Sequence, residues 1–209
     1  MTPIGRRELW HAQLALFVAI VLQLAVADRL RLWPKFSVAT LELLLVFTIG
    51  FTAPRRHSTA ENVHKFIATV LIALVSLANA VQLFLLIKTL IVGPKLPGIA
   101  LLTSSFAIFL TNILMFALWY WELDSPGLSG RRRRDGIAHF QFPQTVSDKT
   151  IWRPAFFDYL YVALTNSTAF SPTDTMPLTH SAKFLMSTQS LVSLFTVVLV
   201  TARAVNILG

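Results

Sequence analysis

The sequence predicts an all-α protein that crosses a membrane several times. Hydrophobic residues make up 55% of the chain and charged residues only 13%, whereas a soluble domain averages about 25% charged residues. Apolar runs close to the roughly 20 residues that a spanning helix needs recur along the whole chain. Basic residues are concentrated between these runs, as is typical of segments that face anionic lipid head groups. We therefore expect a polytopic membrane protein with about five transmembrane helices and one re-entrant helix.

Four apolar runs fill the N-terminal part of the chain, at residues 10–27, 36–51, 66–87 and 98–121. The first ends in Ala25-Val26-Ala27, which is typical of a signal-peptide cleavage site, so a cleaved leader is the alternative to a first span. The second is short and contains Glu42. An ionisable residue at that depth indicates a functional site, unless Glu42 pairs locally with a base such as Lys35.

Polar and aromatic residues in the third and fourth runs predict contacts rather than chemistry. Asn79 and Gln82 are three residues apart on one helical face, which predicts hydrogen bonds between helices. The fourth run contains Asn112 and ends in Trp119-Tyr120-Trp121, which predicts an aromatic belt at the membrane interface. No run carries the repeated basic residues of a voltage sensor.

A polar basic loop at residues 122–153 separates these four runs, residues 1–121, from the C-terminal part. The consecutive arginines 131–134 predict contact with anionic membrane lipids rather than with nucleic acid. Phe140, Phe142 and Pro143 are expected to pack this loop onto the membrane surface. The chain has no cysteine and none of the common hydrolase, nucleotide-binding or zinc motifs. We therefore expect no enzyme activity, no cofactor and no metal site.

Residues 154–209 combine a half-length helix, an irregular polar stretch and a full-length apolar helix. Pro154 suits a first helical turn, and the pattern continues only to about Asn166. Roughly a dozen residues span about 18 Å, whereas the bilayer core needs about 30 Å. The following stretch is rich in hydroxyls and interrupted by Pro172. Irregular backbone at membrane depth is tolerated only where protein buries it or where it lines a water-filled path.

This stretch resembles the pore region of the tetrameric, potassium-channel-like pore-loop cation channels, whose pattern is roughly D-x-L-Y-F-S-x-x-x-x-T-T-V-G-Y-G-D-x-x-P. Asp158, Leu160 and Tyr161 match its opening positions, T-A-F-S-P-T-D at residues 168–174 matches its filter, and Pro177 matches its closing proline. The resemblance implies a homotetramer in which residues 98–121 form the outer helix and the last apolar run forms the inner helix. The chain also resembles an uncharacterised family of bacterial multi-spanning membrane proteins with F-A-L-x-Y before a similar segment.

The filter-like segment departs from the family at both glycines, which are Ser171 and Thr173 here, with Pro172 between them. Proline fixes φ and restricts the residue before it, so the usual stack of carbonyls that selects potassium is not expected. We expect instead a hydroxyl-lined constriction with Asp174 at its mouth, where four copies form an acidic ring that attracts monovalent cations. The segment comprises Thr165, Ser167, Thr168, Ala169, Phe170, Ser171, Pro172, Thr173 and Asp174.

The last helix carries one face whose residues recur at three- and four-residue spacing. In the channel interpretation this face lines the pore, and in the alternative it packs against other helices. Its proposed pore-lining residues are Ser187, Ser190, Leu194, Val197 and Thr201.

These patterns together predict passive cation conduction by a homotetramer in the plasma membrane. One alternative is a non-conducting structural or accessory module, and another is a proton-linked transporter that uses Glu42. Five alternating spans place eleven Lys and Arg on the side of the N-terminus and the long loop, and five on the other side. The positive-inside rule puts the first side in the cytoplasm, whereas the resemblance implies a pore loop entered from outside. We favour the latter because a gap-free pattern is more specific than a charge count.

Overall fold

A computed structural model describes residues 6–29, 58–92, 97–124, 138–147, 152–169 and 174–208. These residues are mainly helical, which confirms the all-α class. The helices are α1 Arg6–Arg29, α2 Ser58–Val92, α3 Gly98–Asp124, α4 Pro143–Ser147, α5 Phe156–Thr168 and α6 His180–Leu208. Two short strands, β1 Phe140–Gln141 and β2 Met176–Pro177, pair in antiparallel fashion.

Four of these helices are long and apolar enough to cross a membrane. The candidate spans are Trp10–Asp28, Phe66–Ile91, Gly98–Asp124 and His180–Thr201. Helix α5 has 13 residues, and at 1.5 Å per residue it is about 20 Å long, too short to cross the bilayer core. The predicted run at residues 36–51, with Glu42, lies outside the described residues.

Three helix boundaries differ from the predicted runs at residues 66–87 and 98–121, because polar residues continue the helices. Helix α2 begins at Ser58 and ends at Val92, so His64, Lys65 and Lys88 lie in the helix and not in the flanking loops. Helix α3 likewise continues through Asp124. Isolated charged residues do not end a helix when the neighbouring residues favour one. No glycine or proline lies between the predicted helix ends and the observed ones.

Helix α3 is the central helix of the described bundle. It packs against α1, α2, α5 and α6, and half of its span is buried. By contrast, α6 is the most exposed of the four candidate spans, with only 22% of its window buried. The outer helix of the predicted pore is therefore the helix around which the other described helices are arranged.

The members of the two hydrophobic clusters show in which direction each long helix runs. One cluster joins the early parts of α1 and α2, through residues such as Leu16 and Leu71, to the late part of α3 around Leu118. The other joins their late parts, through Val26 and Leu86, to the early part of α3. Helix α6 follows the same rule, because Met186 belongs with the first cluster and Leu199 packs against the second. Helices α1, α2 and α6 therefore run parallel to one another and antiparallel to α3.

The aromatic end of α3 is buried in protein, so the predicted aromatic belt at the membrane interface was wrong. The side chains of Tyr120 and Trp121 are 0% and 1% exposed. Trp119 is half-buried, and its Nε1 donates a hydrogen bond of 3.0 Å to Ser76 Oγ on α2. In the sequence, a run of aromatic residues at the end of a span looks the same whether lipid or another segment of the chain covers it.

The covering segment is the part of the long loop around β1. Phe140 and Phe142 are 2% and 4% exposed and belong to the same cluster as Tyr120. The Phe142 ring lies 5.4 Å from that of Tyr159 on α5, measured between centroids. These phenylalanines therefore fill the protein core, and the expectation that they pack the loop onto the membrane surface was wrong.

An amide layer lies between α1 and α2. Gln82 Nε2 donates to the carbonyl oxygen of Gln23 at 2.9 Å, and Gln23 Nε2 donates to the carbonyl oxygen of Val75 at 2.7 Å. These bonds confirm the expectation for Gln82, since its side chain joins two helices. Asn79 is also buried on α2, but its Oδ1 has no hydrogen-bond partner among the described residues.

Candidate functional site

Helix α5 begins at a local capping arrangement. Ala155 has extended backbone angles (φ −96°, ψ 170°), and its N–H donates to Asp158 Oδ2 at 2.6 Å. An acidic side chain three residues into a helix satisfies an otherwise unpaired N–H and interacts favourably with the helix dipole. Asp158, the first residue that matches the pore-loop pattern, therefore also fixes where the short helix begins.

Asp124, the last residue of α3, holds the beginning of α5 against the long loop. Its Oδ2 accepts a hydrogen bond of 2.7 Å from the Tyr159 hydroxyl on α5. Its Oδ1 accepts hydrogen bonds from the backbone N–H groups of His139 and, at 3.3 Å, of Phe140. One carboxylate therefore joins the end of α3, the start of β1 and the first turn of α5.

The chain returns to this same end of the bundle after α5. Leu178 N–H donates to the carbonyl oxygen of His139 at 2.8 Å, and Gln141 pairs with Met176 in the antiparallel register. The His139 ring Nδ1 lies 2.7 Å from Thr179 Oγ1, which also accepts a hydrogen bond from Ala182 N–H in the first turn of α6. We call this group of contacts, made by Asp124, His139, Tyr159 and Thr179, the entrance frame.

The far end of α5 is held by a buried polar network between α3 and α6. Gln189 on α6, with 0% exposure, is its centre. Its Nε2 donates to the Ala163 carbonyl at 2.9 Å and to Ser167 Oγ at 2.8 Å. Its Oε1 accepts from Asn166 Nδ2 at 2.9 Å and from the Tyr120 hydroxyl.

Ser193 extends the network toward the middle of α3. Its hydroxyl donates to Ser167 Oγ at 3.0 Å and accepts from Asn112 Nδ2 at 3.1 Å. Buried polar groups are retained in a helix bundle when they are mutually hydrogen-bonded, as these are. The network therefore fixes both the depth and the rotation of α5 between the two long helices.

The structure describes the first four residues of the predicted constriction and its last one. The hydroxyls of Thr165 and Thr168 each donate at 2.9 Å to the carbonyl oxygen four residues earlier in α5. Ala169 closes the helix with its N–H on the Thr165 carbonyl, and Ser167 is fully buried in the polar network. Asp174, the first residue of the described stretch 174–208, is exposed. Phe170, Ser171, Pro172 and Thr173 lie outside the described residues.

The face of α6 that the sequence assigned to the pore is turned away from the other described helices. Ser187, Leu194, Val197 and Thr201 are exposed along it. Ser190 lies at its edge, half-buried, with its hydroxyl donating to Asn166 Oδ1 at 3.2 Å. The neighbouring face of the helix carries the buried residues Gln189, Ser193 and Thr196.

The sequence patterns did not identify the residues of the entrance frame. Asp124 and His139 both fall in the predicted polar loop at residues 122–153, and a carboxylate and a histidine fifteen residues apart match no motif. The one available signal was the position of Asp124 three residues after the aromatic run, which places a carboxylate at the end of a span. Among the described residues, no group of three His, Asp or Glu is placed to hold a metal ion.

Comparison with protein-family models, curated proteins and solved structures finds no match to this chain. The class of the protein therefore rests on its own architecture. Four long apolar helices, a short helix packed among them and a buried polar network define a multi-spanning helical membrane protein.

Proposed function

We propose that this protein is a passive cation channel in which α5, the segment after it and α6 form the pore of a homotetramer. The observation that carries this proposal is the position of α5. It is half the length of a span, packs between α3 and α6, and both begins and returns at the end of the bundle defined by the entrance frame. That geometry suits a re-entrant helix, whose irregular continuation requires a protein-lined or water-lined path.

The exposed face of α6 supports the assembly around an axis. Ser187 and Thr201 are polar residues that point away from the other described helices of the subunit. Small polar residues favour contact with other helices or with water over contact with lipid tails. Copies of α6 around a central axis would bring these residues to a common cavity, together with Leu194 and Val197.

The proposed constriction lies between Ala169 and Asp174. Thr165 and Thr168 lie in the last turn of α5, directly before it. Ser167 is not part of the proposed lining because its hydroxyl is bonded in the buried network. Residues 170–173 lack the glycines that a potassium filter uses, so we expect conduction of monovalent cations without strong preference for potassium. Four copies of Asp174 would supply the negative charge that excludes anions.

The directions of α1 and α2 favour five membrane crossings. Because these two helices run parallel, the C-terminal end of α1 and the N-terminal end of α2 lie at opposite ends of the bundle. If α1 and α2 both cross the bilayer, the chain has to cross it once more between them, and the apolar run at residues 36–51 has the composition to do so. This topology places the N-terminal end of α1 on the side from which α5 enters.

Conductance of the purified, oligomeric protein in planar bilayers tests the proposal. Under potassium, sodium and chloride gradients we expect discrete current steps whose reversal potential follows the cations. Absence of current across voltage and pH, in both orientations and with protein shown to be folded, would refute conduction.

A non-conducting structural or accessory module is the second candidate, and one observation favours it. The hydroxyls of Thr165, Ser167 and Thr168 all find partners within the subunit, as they would in a closed core. The transporter alternative rests on Glu42, outside the described residues. Replacing it with glutamine should abolish proton-linked uptake by vesicles if Glu42 carries the proton, and should leave channel currents unchanged if α5 and α6 form the pore.

A further inference from the structure

We propose that Asp124 is a positioning residue for the mouth of the pore, acting through β1 and β2 on the segment that carries Asp174. This inference rests on the proposed function for its meaning in conduction. The contacts that support it do not depend on conduction, so they can be tested separately.

The location of Asp124 is unfavourable for the helix that carries it. The C-terminus of a helix has a partial negative charge, so a carboxylate there costs roughly 0.3–1 kcal/mol where a basic residue would be stabilising. Helix α3 has no basic residue in its last turn. Three hydrogen bonds to the carboxylate offset this cost, from the N–H groups of His139 and Phe140 and from the Tyr159 hydroxyl. The requirement for Asp124 therefore comes from the groups it binds and not from its own helix.

The contacts lead from Asp124 to the proposed mouth in two steps. The carboxylate fixes the backbone at the start of β1, and β1 pairs with β2 through the register of Gln141 with Met176. Met176 follows Asp174 by two residues. The position of the Asp174 carboxylate at the mouth is consequently set by a two-stranded pairing that Asp124 anchors.

The same frame connects the mouth to the ends of two further helices. Tyr159 ties Asp124 to the first turn of α5, and the His139 ring contacts Thr179, which caps the start of α6. A change in any of these helices is thereby transmitted to the β1–β2 pair. Loss of the Asp124 carboxylate should loosen the pair while leaving the buried network around Gln189 intact.

Disulfide cross-linking measures the β1–β2 pairing without any current. The chain contains no cysteine, so Gln141→Cys with Met176→Cys gives the only reactive pair. Facing residues of antiparallel strands lie within the Cα distance that a disulfide bridges. We expect rapid oxidative cross-linking in the otherwise unchanged chain, and a rate about tenfold lower with Asp124→Asn, since hydrogen bonds to a charged acceptor are lost. Asp124→Glu should restore most of the rate.

Tyr159→Phe provides a milder test should Asp124→Asn fail to fold. It removes one of the three hydrogen bonds and keeps the ring in the core, so a smaller loss of cross-linking rate is expected. An unchanged rate in both Asp124→Asn and Tyr159→Phe would overturn the proposed anchoring.

Reversal potentials then connect the frame to the pore. In channels of the Asp124→Asn variant we expect a lower preference for cations over anions, while the Gln189 network stays intact. Asp124→Glu should recover the preference. Slower cross-linking with unchanged ion preference would overturn the role of Asp124 at the mouth. If the unchanged protein carries no current, the proposed function fails, while the cross-linking result still decides whether Asp124 anchors the strands.

Discussion

Replacing Gln189 with methionine should release α5 from its position between α3 and α6. The substitution keeps an unbranched side chain of similar length and removes all four hydrogen bonds that Gln189 makes to Tyr120, Ala163, Asn166 and Ser167. Side-chain hydrogen bonds inside membrane proteins contribute about 0.6 kcal/mol each on average. Four of them give about 2.4 kcal/mol, and leaving the buried Tyr120 hydroxyl without its acceptor raises the loss to about 3 kcal/mol.

Thermal unfolding in detergent micelles, followed by tryptophan fluorescence, measures this loss. For a chain of this length, 1 kcal/mol corresponds to about 2–4 °C, so the midpoint should fall by about 6–12 °C. Thr196→Val is the matched control. Thr196 is equally buried on the same face of α6, but its hydroxyl donates to the Val192 carbonyl of its own helix and, among the described residues, to no other helix, so the expected change is below about 1 kcal/mol. Equal midpoints for the two variants would refute the role of the network.

Three further predictions concern the proposed mouth, the topology and the core. Asp174→Asn should lower the preference for cations over anions in bilayer recordings, because it removes the proposed ring of negative charge at the mouth. Single cysteines at Leu32 and Ser58 should react with an impermeant thiol reagent from opposite sides of sealed vesicles, and labelling from the same side would contradict five crossings. Trp121→Ala should destabilise the protein by about 3–5 kcal/mol, whereas Trp10→Ala, at a position 69% exposed, should have little effect.

The sequence was sufficient to predict the elements that depend on length and hydrophobicity. Pro154 and the limited apolar run after it predicted a short helix, and the structure has one at Phe156–Thr168. The four long helices follow from runs that reach the length of a bilayer. These features are local, so they can be derived from residues that are neighbours in the chain.

The contacts that assemble the site could not be derived in this way. Asp124 and Tyr159 are 35 residues apart, and Asn112 and Ser193 are 81 residues apart. No spacing rule connects such pairs, because the directions of the helices determine which residues meet. The aromatic run of α3 illustrates the same limit, since only the later segment with Phe140 shows that protein, and not lipid, surrounds it.

The central position of α3 has a consequence for the order in which the protein is made. Chains emerge from the ribosome from the N-terminus, so α1 and α2 are synthesised before the helix that both of them contact. Until α3 arrives, residues such as Leu16 and Leu71 lack the partner that buries them, and the bonds between Gln23 and α2 are the polar contacts available to the pair. A chain arrested after Val92 therefore contains two parallel helices without α3, the helix against which both of them pack. One arrested after Asp124 already contains the helix onto which α5 and α6 dock.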